Sequence, residues 1–174
     1  MRKTTRRLCS SPGPQAGCSR LDLTIDTCVL VHAGSPRASL HQASRSLLQG
    51  FRDDLRAPKL NLDKRGRIEA EYDHQLAQKS VGKLWLKQLA LSGRLNYIET
   101  KALPRRVRVR LEQAGYHRAD HKFVETAHGS ESRRLVTHDQ AGFSPSVCVV
   151  LRRHLGVIVT DATDACEWAG YPLG

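Results

Sequence analysis

Apolar residues follow two different spacings along the chain, and each spacing predicts one kind of element. In LDLTID, the residues Leu21, Leu23 and Ile25 recur at every second position, which is typical of a half-buried strand. The apolar CVLV that follows directly indicates that this strand enters a buried turn. Further short segments with strand character are APKLNL, LNYIET, RLVT and GVIVT.

Helical spacing appears between these strand segments. A serine followed by a proline, at Ser35 and again at Ser144, provides an N-cap and a first helical residue. Apolar residues recur at helical spacing after both pairs, and they do so as well in 68–77, VGKLWLKQLAL and 119–128. RRVRVRLEQAG fits either a helix or a strand, and the proline before it and the glycine at its end favour a helix.

Strands that alternate with helices predict an α/β fold with a largely parallel sheet covered on both faces. In such sheets, functional sites form at the carboxyl ends of the strands. The length of 174 residues fits one domain. Residues 1–19 contain MRKTTRR and SSPGPQAG and few apolar positions, so we expect a flexible basic tail there and the folded domain in 20–174.

The charge of the chain favours a polyanionic partner. Lys and Arg number 28 against 17 Asp and Glu, for a net charge of +11, and basic side chains that neutralise phosphates release condensed counterions. A solvated positive face is the alternative, and charge alone does not separate RNA from DNA. No apolar run approaches the roughly 20 residues of a membrane span. The basic N-terminus lacks an apolar region of the signal-peptide type, so a cytoplasmic protein is expected.

Four acidic residues are candidates for a metal site. Asp26 ends the first predicted strand and Asp139 follows the LVT strand after one residue, so both should project from the same sheet edge. Glu71 and Asp120 lie on predicted helices that open toward that edge. Burying carboxylates there is costly unless they are paired or bind metal, and Mg²⁺ and Mn²⁺ prefer carboxylate oxygens. The five cysteines form no C-x-x-C pair and indicate no zinc site.

Four segments of the chain, LTIDTCVL, DKRGRIEAEYDHQL, ADHKFVETA and LVTHDQAGF, resemble in this order the motifs of the PIN-domain nucleases. In these motifs, the metal-site acids match Asp26, Glu71, Asp120 and Asp139. The likeness covers about Leu21 to Thr160. One departure is QAG after Asp139, which puts one more residue before the phenylalanine than the commonest spacing of the family.

This resemblance implies a three-layer α/β/α sandwich with a mostly parallel five-stranded sheet. It also implies a site in which the four acids hold one or two Mg²⁺ or Mn²⁺ ions and act as the catalytic residues of RNA hydrolysis. Substrate contacts would then come from the RRVRVR stretch and from the residues beside the last acid, namely Arg105, Arg106, Arg108, Thr137 and His138.

Several functions remain open within this resemblance. The leading hypothesis is a metal-dependent endoribonuclease, either a toxin covered by an antitoxin or a stand-alone defence or processing enzyme, and a homodimer is expected by likeness. The alternative is a catalytically degenerate PIN domain that binds RNA or acts as a scaffold, although the presence of all four acids argues against it. A third hypothesis is a DNA nuclease of the flap-cutting kind.

Overall fold

The computed structural model describes residues 21–37, 39–116 and 120–174, and the predicted basic tail lies outside them. Within these ranges the chain forms five strands and eight helices in an α/β arrangement. The strands are β1 (Asp22–Ile25), β2 (Lys59–Asp63), β3 (Leu95–Ile98), β4 (Arg134–Val136) and β5 (Ile158–Thr160). The helices are α1 (Thr27–Ala33), α2 (His41–Asp53), α3 (Arg67–Gln75), α4 (Val81–Leu91), α5 (Arg105–Gln113), α6 (His121–Gly129), α7 (Pro145–Leu155) and α8 (Ala162–Ala169).

The sheet is parallel throughout and has the strand order β3-β2-β1-β4-β5. On one face α1 packs against α2 and α4, and α2 packs against α8. The chain crosses between β3 and β4 through α5 and α6, and α6 contacts β1, β2 and β4. Helices therefore cover both faces, which confirms the predicted three-layer α/β/α sandwich.

The central strand β1 sets the position of the candidate site. Leu23 and Ile25 are fully buried, as expected for a strand covered on both faces. The register aligns Ile25 with Val136 of β4, and the amide of Asp26 donates to the Val136 carbonyl at 2.8 Å. Asp26 therefore stands in the middle of the carboxyl edge of the sheet.

Two local predictions were wrong. CVLV does not continue into a buried turn but belongs to α1, which buries Val29 and Leu30 on one side. Ser35 does not begin a helix, because its amide donates to the His32 carbonyl and completes the end of α1. The next helix, α2, begins only at His41.

The basic stretch RRVRVRLEQAG is a helix, as its flanking residues predicted. It forms α5, which buries Val107 and Leu111 and leaves its arginines exposed. Helix α8 was not predicted; it begins after Asp161, whose carboxylate accepts from the Asp164 amide at 2.9 Å. Among the helices of the described residues, none is long and apolar enough to cross a membrane.

Candidate functional site

Asp26 is the acid at the centre of the carboxyl edge. It is only 8% exposed and lies at the N-cap of α1, yet its side chain makes no capping hydrogen bond. Instead, the hydroxyl of Thr137 donates to Asp26 Oδ2 at 2.6 Å. The buried carboxylate therefore lies against the end of β4, and the thiol and amide of Cys28 in the first turn of α1 are close enough to lower its pKa.

Thr137 connects Asp26 to Asp139. Its hydroxyl donates to Asp26 and accepts from the Asp139 amide at 3.1 Å. Asp139 in turn closes the loop after β4, where its Oδ1 accepts from the amides of Ala141 and Gly142 at 3.1 and 2.9 Å. Thr137 and the loop that holds Asp139 thus lie next to Asp26.

Glu71 reaches the same place from α3. The Thr27 hydroxyl donates to Glu71 Oε1 at 2.6 Å, and the Lys122 ammonium lies 2.5 Å from Glu71 Oε2. Thr27 follows Asp26 directly, and Lys122 lies two residues after Asp120 in the chain. Hydrogen bonds, one ion pair and short chain connections therefore join Asp139, Thr137, Asp26, Thr27, Glu71 and Lys122. The fourth acid, Asp120, lies close enough for the charges of the other three to raise its pKa.

The electrostatics show that these carboxyl groups repel one another. Burial raises the pKa of Asp120, the charges of Asp26, Asp139 and Glu71 raise it further, and Lys122 lowers it. Burial likewise raises the pKa of Asp26; the Thr137 hydrogen bond opposes this, and Glu71 adds to it. Among the described residues, like charges are gathered here and Lys122 pairs with one of them, an arrangement that is unfavourable for folding by itself.

Tyr116 forms one wall of the site. It packs against Phe143 with its ring centroid 5.1 Å away, and burial together with the charges of Asp120 and Asp26 raises its pKa far above the usual value. Its hydroxyl is buried and has no hydrogen-bond partner among the described residues. Such a buried hydroxyl without a partner is uncommon in folded proteins. Phe143 is buried, so the unusual QAG spacing is compatible with its packing.

The donor set fits a hard divalent cation in its chemistry, because it consists of carboxylate oxygens beside an unsatisfied hydroxyl. The side chains are not in a ready-made coordination geometry. Over the residues that the structure describes, no three His, Cys, Asp or Glu side chains converge closely enough to hold a metal ion. In particular, Lys122 engages Glu71 Oε2 and therefore competes with a metal ion for this carboxylate.

Two other acids near this edge, Asp63 and Glu125, form ion pairs with an arginine. Asp63 is fully buried and accepts from the amides of Ile68 and Arg67 in the first turn of α3. The Arg67 guanidinium pairs with Asp63 at 3.0 Å and with Glu125 at 2.8 Å. Glu69 faces another direction and accepts from the Tyr97 hydroxyl. The acids therefore divide into a compensated structural group and the four of the candidate site.

His138 lies beside the site, and its surroundings disfavour the positively charged form of its imidazole. Its Nε2 is 2.8 Å from the Ser44 hydroxyl of α2, and its ring stacks on His32 with centroids 5.2 Å apart. Burial and the neighbouring His32 lower the pKa of His138 to about 4. The ring is therefore neutral near pH 7, its Nε2 is engaged by Ser44, and its Nδ1 is buried without a partner among the described residues.

The arginines predicted to hold substrate are not gathered around the acids. Arg105, Arg106 and Arg108 are exposed on α5. Arg106 is close enough to His154 to influence its pKa, and Arg110 contacts His154 directly. His154 lies in the last turn of α7, next to the amino end of β5, so Arg106 and Arg110 approach the opposite edge of the sheet from Asp26.

Sequence reasoning did not find the roles of Lys122 and Tyr116. Lys122 follows Asp120 by two residues, but nothing in the pattern indicates that its side chain pairs with Glu71, which is 51 residues away in the chain. The likeness to PIN motifs included Thr27 only as a small polar residue, and the structure adds its hydrogen bond to Glu71.

Comparisons with protein-family models, with curated proteins and with solved structures give no match for this chain. The resemblance to PIN-domain nucleases therefore rests on the four sequence segments, and membership in that family stays a prediction.

Proposed function

We propose that this protein is a PIN-like, metal-dependent endoribonuclease whose site is formed by Asp26, Glu71, Asp120 and Asp139. The observation that supports the proposal best is the contact series through Thr137, Thr27 and Lys122, which links Asp139, Asp26 and Glu71 at one sheet edge. The charges of these three acids also act on Asp120. The carboxyl edge of a parallel sheet is also where such folds place their chemistry.

A purely structural role explains Asp26 and Asp120 poorly. Asp63 shows what a structural acid looks like in this fold, because amides and a guanidinium satisfy it and its pKa is lowered despite its burial. Asp26 and Asp120 have raised pKa values instead. Ionised carboxylates that destabilise a fold are expected where function requires them.

In the proposed reaction, Asp26, Glu71, Asp120 and Asp139 would hold the cation. When bound, Mg²⁺ or Mn²⁺ supplies a water of lowered pKa and offsets the charge that develops on the phosphate. Thr137 orients Asp26, and the amides of Ala141 and Gly142 orient Asp139. Lys122 offsets the charge of Glu71 and limits repulsion among the acids while the cation is absent.

RNA is the proposed substrate because the chain carries a charge of +11 and the likeness is to ribonucleases. The finer assignments that we propose with it are a cytoplasmic place of action and a role as a toxin with an antitoxin or as a stand-alone nuclease, with a homodimer expected by likeness. The second candidate function is a degenerate, RNA-binding scaffold. One observation favours it: Glu71 is held by Lys122, and the described acids do not converge on one point.

The test is cleavage of a labelled single-stranded RNA by the purified chain with Mn²⁺, with Mg²⁺ and with EDTA. Single-stranded DNA and a branched DNA duplex of the same sequence serve as substrate controls. The proposal expects RNA cleavage that requires the divalent ion. Binding of RNA without cleavage under every condition would support the scaffold, and preference for the branched DNA would support the flap-cutting alternative.

The first variant to follow from this proposal addresses Thr137 as a positioning residue. Thr137→Val removes the hydroxyl that joins Asp26 to Asp139, and we expect RNA cleavage to fall about 10- to 100-fold, as for other partners of metal ligands. Thr137→Ser keeps the hydroxyl and should retain most of the rate. Initial rates across a Mn²⁺ titration measure the effect, and equal rates for the Val and Ser variants would contradict the assigned role.

Gly142 tests the placement of Asp139. A β-carbon at position 142 would overlap the Asp139 carboxylate, so Gly142→Ala should displace that side chain and reduce RNA cleavage about 10- to 100-fold. The neighbouring Ala141→Ser lies on an exposed position of the same loop and should leave the rate nearly unchanged. Thermal unfolding of both variants checks that the fold persists, and a fully active Gly142→Ala protein would exclude Asp139 from the site.

A further inference from the structure

The structure carries a second concentration of charge, at the edge of the sheet opposite to the acids. It consists of Arg106 and Arg110 of α5 together with Arg152, Arg153 and His154 of α7, and we name it the α5–α7 arginine patch. Helices α5 and α7 pack against each other, so residues that are 40 or more positions apart form one surface. All four arginines are exposed.

Two basic side chains, one from α5 and one from α7, contact each other in this patch. Arg110 Nη1 lies 2.8 Å from His154 Nε2, so the imidazole accepts from the guanidinium and is neutral in this pair. Burial lowers the pKa of His154, and the charges of Arg110, Arg153 and Arg106 lower it further. Three guanidinium groups therefore lie close enough to His154 to act on its charge, which indicates a locally positive potential.

No carboxylate of the described residues forms an ion pair with Arg106, Arg110, Arg152 or Arg153. Other arginines of the same chain are paired: Arg52 with Asp53, Arg56 with Asp54, and Arg67 with two acids. Arginines in the last turn of α7 also suit the negative end of that helix. The helix end does not account for Arg106 and Arg110, which come from α5.

The patch is separate from the acids because of the chain topology. Strands β4 and β5 are parallel neighbours, so α7, which connects them, runs from the carboxyl edge to the amino edge of the sheet. Its 11 residues correspond to a length of about 16 Å. Arg133, whose guanidinium donates to the Leu155 carbonyl, extends the basic surface along the amino edge.

We propose that the α5–α7 arginine patch is a phosphate-binding surface that holds the backbone of RNA at the amino edge of the sheet. The choice of RNA rests on the proposed function. Guanidinium groups without carboxylate partners match phosphate oxygens in charge and in their forked geometry. An anionic membrane fits less well, because the large apolar residues exposed on α5 and α7 are Val109 and Val149, and neither is the Trp, Phe or Leu of a membrane-surface helix.

The experiment measures binding of fluorescent single-stranded RNA to the full chain in EDTA, so that it needs no cleavage. The double variant Arg110→Gln/Arg153→Gln should bind RNA about tenfold more weakly. The slope of log Kobs against log salt should decrease by about 1.4, because each lost phosphate contact contributes about 0.7 for a single strand. Titrations between about 50 and 200 mM salt give both quantities.

The matched control is Lys79→Gln/Lys87→Gln, which removes the same two charges from exposed positions elsewhere. Weaker binding in the arginine variant alone supports the patch. Equal losses in both variants, or no loss in the arginine variant, would overturn the proposal, and so would a loss of binding to phosphatidylserine vesicles without a loss for RNA. Failure of the nuclease assay alone leaves this result unaffected, which separates the two proposals.

Discussion

Asp26→Asn is expected to lower metal-dependent RNA cleavage by more than about 100-fold, since loss of even a hydrogen-bond partner of a metal ligand costs 10- to 100-fold. The same variant should be more stable than the wild type in EDTA at pH 7. Asparagine has nearly the same shape and still accepts from Thr137, but it carries no charge into a buried position near Glu71. We expect a gain on the order of 1 kcal/mol, or about 2–4 °C in Tm.

The pH dependence of this gain follows from the direction of the pKa shift. Burial raises the pKa of Asp26 in the folded state above its unfolded value of 3.8. The stability that this carboxyl contributes is therefore fully present below pH 3.8 and is lost as the pH rises through the folded pKa. The difference in Tm between Asp26→Asn and wild type should be largest at pH 7 and should shrink toward pH 4.

Circular dichroism melts in EDTA and in Mn²⁺ measure these effects. Mn²⁺ should raise the Tm of the wild type and leave that of Asp26→Asn nearly unchanged, because only a bound ligand stabilises the native state. Glu99→Gln is the control: it removes a highly exposed carboxylate that follows β3 at the same sheet edge. An Asp26→Asn protein that is less stable than wild type and still cleaves RNA would show that Asp26 is a structural residue.

Arg67→Met is expected to destabilise the fold by about 2–3 kcal/mol. It removes the guanidinium from two acids, Asp63 with a side chain that is 0% exposed and Glu125 with one that is 10% exposed. Breaking a buried ion pair from one side costs about 3–5 kcal/mol, and we reduce this because 37% of the Arg67 side chain is exposed. Methionine retains the packing of the aliphatic stem.

The change in the stability of Arg67→Met with pH tests whether the lost ion pairs are the cause of its destabilisation. Burial raises the pKa of Asp63, but the hydrogen bonds from Ile68 and Arg67 outweigh it and lower the pKa overall. In the wild type this stability is present above pH 3.8 and is lost as the pH falls through the folded pKa. In Arg67→Met the two acids lack their partner, so the deficit relative to wild type should shrink as the pH approaches 4.

Urea unfolding at pH 7 and at pH 4.5 or so measures the free energy in both proteins. The neighbouring Arg65→Met removes an exposed arginine and should change stability by no more than about 0.5 kcal/mol. If both variants lose the same stability, the network of Arg67, Asp63 and Glu125 contributes nothing specific. If only Arg67→Met is destabilised, the division of acids into a structural group and a candidate site is supported.

Local patterns in the sequence were sufficient for the fold class. A strand period in LDLTID and in RLVT, separated by helical spacing, predicts parallel strands, because parallel neighbours need a crossover between them. The same patterns placed Asp26 and Asp139 after strands and therefore at one edge. The wrong boundaries arose where backbone groups form hydrogen bonds that the pattern of residues does not indicate. At Ser35, for example, the amide donates to the end of α1, and no new helix begins there.

For the candidate site as well, local sequence patterns predicted some features and not others. The sequence by itself determined which acids follow strands, since chain position along a parallel strand decides the edge at which a residue emerges. Only the tertiary structure decided that Lys122 pairs with Glu71, that His138 is neutral beside Ser44, and that the arginines of α5 face the end of α7. Each of these depends on how helices cross the sheet and on the distances between side chains far apart in the chain. Those distances are set by packing of the whole core, and no local spacing of residues contains them.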